Sequence, residues 1–239
     1  MNIVIPMAGL GSRFAEAGFS IPKPLIPVNG EAMISKAVKS LNLQGQYHFI
    51  LSENNYTKQI IEVLESIVKL PNFLVIDYVT NGPASSVHLV DKHINNSEEL
   101  VVANCDQIMT WNSKAFLHNA KLYDGCLVTY HSDTIKNSYA RLNNQGLVTE
   151  VREKQVISNV SLNGIHYWKQ GRYFCDSYEA MVFNNDRAPN GEFYVGPSYN
   201  YMIKDNKTVG IYHIPNEQHH PVGVPDDLET YLKYENSKL

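Results

Sequence analysis

"IPMAGLGSRFAEAGFSIPKPLIPV", residues 5–28, decides how the rest of the chain is read. Two of its three glycines, Gly9 and Gly11, come straight after the apolar run "NIVIP" (2–6), which reads as a buried strand. Paired glycines at the end of a first strand are half of a dinucleotide-binding fingerprint. That motif needs a third glycine where this chain has Phe14, and a helix that starts at once. Pro22 and Pro24 instead rule out a long helix, and the phosphate-loop pattern G-x-x-x-x-G-K-[ST] is missing. What is left is a long loop carrying free backbone N–H groups, a guanidinium at Arg13 and an ammonium at Lys23. Such a loop is either a cradle for several phosphates or a surface loop with two solvated charges.

Outward from that loop, apolar β-rich runs alternate with helical patterns. "YHFILS" (47–52), "FLVIDYV" (73–79), "ELVVANCD" (99–106) and "GCLVTYH" (125–131) read as strands. Helices are expected over 31–41, 57–69, near 84–93 and near 112–122, an order that suits βαβ crossovers and a largely parallel sheet. After about residue 135 the pattern changes to a hairpin turning at Asn143–Gly146, a strand at 163–168, a helix over 169–184, a strand at 208–214 and a terminal helix from about Asp226. Ligands of open parallel sheets bind beyond the carboxyl ends of the strands, so the first loop, Asp106 and the loop after residue 79 are expected to face one crevice.

The 239 residues carry a net charge of −4, too little positive charge to hold nucleic acid or an anionic membrane through a global field. Cys105, Cys126 and Cys175 are odd in number and widely spaced, which argues against a disulfide framework and for the cytoplasm. No apolar run approaches a membrane span, and the first residues lack a basic leader region. With no repeat and no Gly-, Ser- or Pro-rich linker, the expectation is one domain, residues 1–239. The sequence leaves the oligomeric state open, self-association included.

"MAGLGSRF…PKPLIPV" resembles the G-x-G-[ST]-R-x…P-K-x-L signature of the nucleotidyltransferases that join a nucleoside triphosphate to a sugar 1-phosphate or similar phosphate. "TNGPASSV" (80–87), "ANCDQ" (103–107), "VREK" (151–154), "NGIHYW" and "NGEFYVGPSYN" (190–200) resemble later segments of that family, in order along nearly the whole chain. The resemblance implies a three-layer α/β/α fold with a mixed, mostly parallel sheet. It assigns residues 1–135 to the nucleotide and 136–239 to the acceptor. It makes Arg13 and Lys23 the catalytic cations, Asp106 the Mg²⁺ ligand, and Ala8, Gly9, Gly11, Ser12, Gly82 and Ser85 the nucleotide contacts. Glu153, Lys154, Gly164 and Glu192 become acceptor contacts, with CTP the favoured nucleotide and a small phosphorylated molecule the acceptor.

The chemistry agrees with the residue types. An acceptor phosphate already carries about −1.5 to −2 charge near neutral pH, so it attacks without a general base. Cations that hold two anions together are what the reaction needs. One position departs from the family pattern: a late D-x-G-T-P segment reads "PVGVP" (221–225), placing Pro221 where a second metal aspartate is expected. Asp226 and Asp227 read as N-cap and first-turn residues of the last helix, and His219 and His220 as poor partners for Mg²⁺. Competing readings are a nicotinamide-dependent dehydrogenase, which lacks its third glycine, and a non-catalytic nucleotide sensor of the same fold.

Overall fold

The computed structural model describes every residue except Leu10 and Leu239. β1 (Asn2–Met7) enters the first loop, which holds a one-turn helix, α1 (Ser12–Glu16), and a ribbon of β2 (Pro27–Val28) and β3 (Glu31–Ala32). The chain continues through α2 (Met33–Leu41), β4 (Gln46–Ser52), α3 (Thr57–Glu65), β5 (Asn72–Ile76), α4 (Pro83–His88), α5 (Asp91–Ile94) and β6 (Leu100–Ala103). β7 (Gln107–Met109), α6 (Ser113–Ala120), β8 (Gly125–His131), β9 (Ser138–Leu142), β10 (Val148–Glu153) and β11 (Val160–Trp168) follow. The remainder is α7 (Gly171–Phe183), α8 (Val195–Lys204), β12 (Val209–His213), β13 (His219–Pro221) and α9 (Pro225–Asn236).

The spine of the main sheet runs β12–β8–β11–β6–β1–β4–β5. Within it β11 alone runs antiparallel to its neighbours, so the sheet is mixed and mostly parallel, as expected. The β9–β10 hairpin hangs from β11 where Ser161 faces Tyr139, and it turns at Asn143–Gly146. β8 is parallel to β6, which puts the end of β8 on the same edge as Asp106.

Period-2 alternation divides the strands between two apolar layers. Ile3, Ile5, Val101 and Ala103 pack with Ile34, Ile60 and Phe116 of α2, α3 and α6. Val4, Leu100 and Val102 pack with Val87, Phe174 and Tyr199 of α4, α7 and α8. A third cluster, around Phe14, Ile108, Val222 and Leu228, fastens the first loop and α9 to the crevice edge.

Three stretches differ from the sequence expectation. β5 stops at Ile76, where its carbonyl accepts from the Glu53 N–H, and Tyr78 and Val79 run exposed. The helix expected over 84–93 breaks between α4 and α5, where Leu89 and Val90 bond three residues back rather than four. α8 was not anticipated, because Gly196 and Pro197 open it and aromatic residues fill it. Its stability comes from the buried Val195, Tyr199 and Met202.

Candidate active site

A cleft of about 490 Å³ opens at the carboxyl edge of the parallel strands. Four of the sequence-predicted site residues line it: Arg13, Asp106, Glu153 and Gly164. Lys23 joins them through an ion pair with Asp106. Gly11, which packs against Lys23, adopts the left-handed conformation at φ +62 that favours glycine. Burial alone would lower the Lys23 ammonium, but the adjacent Asp106 carboxylate outweighs it and holds the group above the ordinary lysine value. Arg13, by contrast, is exposed.

Asp106 is fixed from the other side by the segment before α9. The Val222 N–H donates to the Asp106 carbonyl at 2.8 Å, and a Cβ on Gly223 would sit 2.5 Å from Asp106 Oδ2. α9 begins at Pro225 with Val224 as its cap residue, so Asp226 and Asp227 fall in the first turn and neither is the N-cap. Asp227 also lines the cleft, where burial, and to a lesser extent the nearby Asp106, raises its carboxyl above the usual range. Pro221 belongs to the ribbon β7–β13 and lines the cleft without a charge.

The opposite wall is built from β10, β11 and α8. Asn200 of α8 clamps the β10 backbone, accepting from the Val151 N–H at 2.8 Å and donating to the Val151 carbonyl at 2.9 Å. This holds Glu153 in the wall, buried, with the Ser138 hydroxyl donating to its carboxylate. Burial pushes the Glu153 carboxyl up despite that bond and the neighbouring Lys154. Lys154 itself is not a lining residue. Its ammonium donates to the Tyr194 hydroxyl at 2.9 Å, and Tyr194 lines the cleft. Gly164, at φ +93, leaves room for Asn104: a Cβ there would lie 2.1 Å from the Asn104 Nδ2.

Other predicted residues sit outside the lining. Gly82 (φ +115) crosses the backbone of Phe193, whose carbonyl oxygen would be 2.6 Å from an added Cβ. The close approach it permits is to the protein's own chain, sealed by the Ala84 N–H to Phe193 carbonyl and Phe193 N–H to Asn81 carbonyl bonds. Ser85 accepts from the Tyr178 hydroxyl at 3.0 Å, within the helix layer. Glu192 accepts from the Asn190 side chain at 2.9 Å. Ala8 is buried at the end of β1, while Gly9 and Ser12 are exposed in the first loop.

The sequence reading missed several lining residues: Asn104, Gln107, Tyr130, Lys136, His166 and Asp227. Tyr130 and Lys136 follow from applying the strand-end rule to β8 as well as to β6. Arg141, Glu150 and Arg152 form ion pairs among themselves at 2.7 Å, on the outer face of the hairpin, and none of the three lines the cleft.

A family model described as a MobA-like NTP transferase domain matches residues 3–155. Solved structures similar to this chain include the nucleoside-diphosphate-sugar pyrophosphorylase from Vibrio cholerae RC9, at 23% identity and TM-score 0.87, covering 97% of this chain and 99% of that one. The inositol-1-phosphate CTP transferase from T. maritima superposes with TM-score 0.73 at 15% identity, covering 97% and 96%. A UDP-glucose pyrophosphorylase complexed with UDP-glucose does so with TM-score 0.76 at 13% identity, covering 100% and 99%. No curated protein sequence matches the chain.

Proposed function

This chain belongs to the family of MobA-like NTP transferases, and from that premise we propose that it transfers a nucleoside monophosphate from CTP to a small phosphorylated acceptor, phosphoglutamine being favoured. The observation that carries the reading is the convergence of Arg13, the Lys23–Asp106 pair and Glu153 on one cleft from opposite walls. In this reading residues 1–135 hold the nucleotide and residues 136–239 the acceptor. The setting is the cytoplasm, in precursor synthesis for capsule or other surface polysaccharide. The three free cysteines agree with a reducing compartment, and among the described residues no helix is long and apolar enough to cross a membrane.

An acceptor phosphate oxygen attacks the α-phosphorus of the nucleotide. A new P–O bond forms, the bond to the bridging oxygen breaks, and pyrophosphate leaves with the electron pair. Arg13 grips the leaving phosphates, and Lys23 exchanges its Asp106 partner for the α-phosphate. Both cations neutralise charge as it builds on the bridging oxygen. Ala8, Gly9, Gly11 and Ser12 offer the nucleotide the first loop, and Gly82 and Ser85 shape the segment that faces its base. Two oxygen donors in one cleft, Asp106 and Asp227, suit a hard cation that also keeps phosphate and water ligands. Mg²⁺ held by Asp106, with Asp227 beside it, would supply further neutralisation of the triphosphate.

The acceptor preference rests on charge. Glu153 and Lys136 line the same cleft, a carboxylate for an ammonium and an ammonium for a carboxylate. Lys154 and Glu192 flank them through Tyr194 and Asn190. A sugar 1-phosphate acceptor with UTP, dTTP or CTP is the second reading, favoured by the UDP-glucose and inositol-phosphate substrates named for the similar structures. Pyrophosphate release is to be measured with each nucleoside triphosphate, Mg²⁺ and either phosphoglutamine, phosphocholine or a hexose 1-phosphate. Fastest release with CTP and phosphoglutamine is expected. Faster release with a hexose 1-phosphate sinks the acceptor assignment, and none with any pair sinks the transferase.

A further inference from the structure

Four consecutive or near-consecutive residues of β11, Leu162, Asn163, Gly164 and His166, line the cleft, while Ile165 packs into the opposite layer. The same cleft is also lined by the uncharged Pro6, Pro83, Val102, Val195 and Gly196, of which Val102 is the register partner of His166. Val102 lies within β6, four residues before Asp106, which follows the end of that strand at Ala103.

His166 is 6% exposed, and its Nδ1 is buried without a hydrogen-bond partner. A histidine retained only for packing would gain from Phe or Tyr here, since its ring stacks beside Trp168 and Tyr199 at 6.1 and 6.0 Å. An unpartnered buried nitrogen costs stability unless something satisfies it. His48, the other deeply buried histidine, has both ring nitrogens within 3.2 Å of asparagine partners.

We propose that His166 is a specificity-determining residue, an uncharged imidazole at the floor of the cleft that hydrogen-bonds the body of the acceptor, the part remote from its phosphate. The assignment rests on the transferase reading, in which Gly164, two residues earlier on the same face, and Glu153 contact the acceptor. Burial holds the ring neutral, with its pKa pushed down to about 3, so it serves as one donor and one acceptor and not as an acid–base group.

The test compares the full-length wild type with His166→Phe. Phosphoglutamine, glucose 1-phosphate and inorganic phosphate are titrated calorimetrically, and CTP separately. The variant is expected to melt at or above the wild-type temperature, to bind whichever organic acceptor the wild type binds about tenfold more weakly, and to leave inorganic phosphate and CTP unchanged. Acceptor affinity within twofold of wild type, a loss confined to CTP, or a wild type that binds neither organic acceptor overturns the proposal. Should His166→Phe fail to fold, His166→Gln is held to the same tenfold criterion. Failure of the transferase reading is separately visible as absence of pyrophosphate release from wild type.

Discussion

The two walls of the cleft are built on different principles. The first-loop wall concentrates its chemistry in 24 consecutive residues, where three glycines and four prolines set the backbone and two cations project from it. The opposite wall gathers Glu153, Gly164, His166 and Lys136 from different strands and loops, held by contacts such as the Asn200 clamp. A phosphate chain is the same in every nucleotide, so a compact local motif can grip it. An acceptor body is recognised by shape and polarity, which only the assembled fold supplies.

That contrast is broken most directly at the cations. Arg13→Ala and Lys23→Ala are each expected to lower turnover about a hundredfold, roughly 3 kcal/mol of transition-state stabilisation. The two differ in stability. Arg13 is exposed and its loss leaves the melting temperature unchanged, whereas the Lys23 side chain is 16% exposed and its removal strands Asp106, so Lys23→Ala also melts earlier. Asp106→Asn in the same background restores melting without restoring turnover. Kinetics and calorimetry on the three variants check this, and above half the wild-type rate in both single variants refutes the catalytic assignment.

The next largest effect concerns the seam between α4 and the acceptor wall. Gly82→Ala places a Cβ 2.6 Å from the Phe193 carbonyl oxygen at a backbone φ of +115, with a cost of about 2 kcal/mol. Urea unfolding reads it. A variant as stable as wild type would mean that residues 192–194 move away freely, and the wall is then not rigid.

A smaller effect sharpens the acceptor side. Lys136 is exposed and lines the cleft, and Lys136→Ala is expected to raise the acceptor KM about fivefold, with the CTP KM unchanged. An equal rise in both KM values would place Lys136 on the nucleotide and erase the division between the walls.

The same division explains what the sequence discloses. The sheet was legible because the strands are short apolar runs with period 2 and because crossover helices separate them. The first loop was legible because proline and glycine act locally. α8 was hidden, since its helix forms through Val195, Tyr199 and Met202 docking and against the propensity of Gly196 and Pro197. Asp227 was legible as a first-turn residue of α9. That it also faces Asp106's cleft depends on Val222 and Gly223 packing against Asp106, a contact between residues more than a hundred positions apart. Arg141, Glu150 and Arg152 show the converse: charges close in sequence satisfy one another on the surface and leave the cleft alone.

The smallest effect compares two histidines at opposite ends of the sheet. His48 lies between Asn2 and Asn72, on the edge away from the cleft, and His166 lies on the cleft floor. Burial pushes their pKa values down to about 4 and about 3, below the 6.5 of an exposed histidine. A group depressed on folding takes up its proton in the unfolded chain first. The stability it contributes is therefore complete above pH 6.5 and is lost as the pH falls through that value toward the folded pKa. Each ring is expected to remove about 1 kcal/mol between pH 7 and 5.5, where a full proton difference is worth about 1.4 kcal/mol per pH unit. Urea midpoints across that range should fall, and His166→Phe should remove the share of the fall belonging to one ring. Acceptor binding separates the two sites: a ligand hydrogen-bonded to the neutral His166 ring adds stability at pH 7 that His48 cannot see. A pH dependence unchanged in His166→Phe would mean that the cleft-floor ring takes up its proton equally in the folded and unfolded chain, and the contrast between the two histidines would fail.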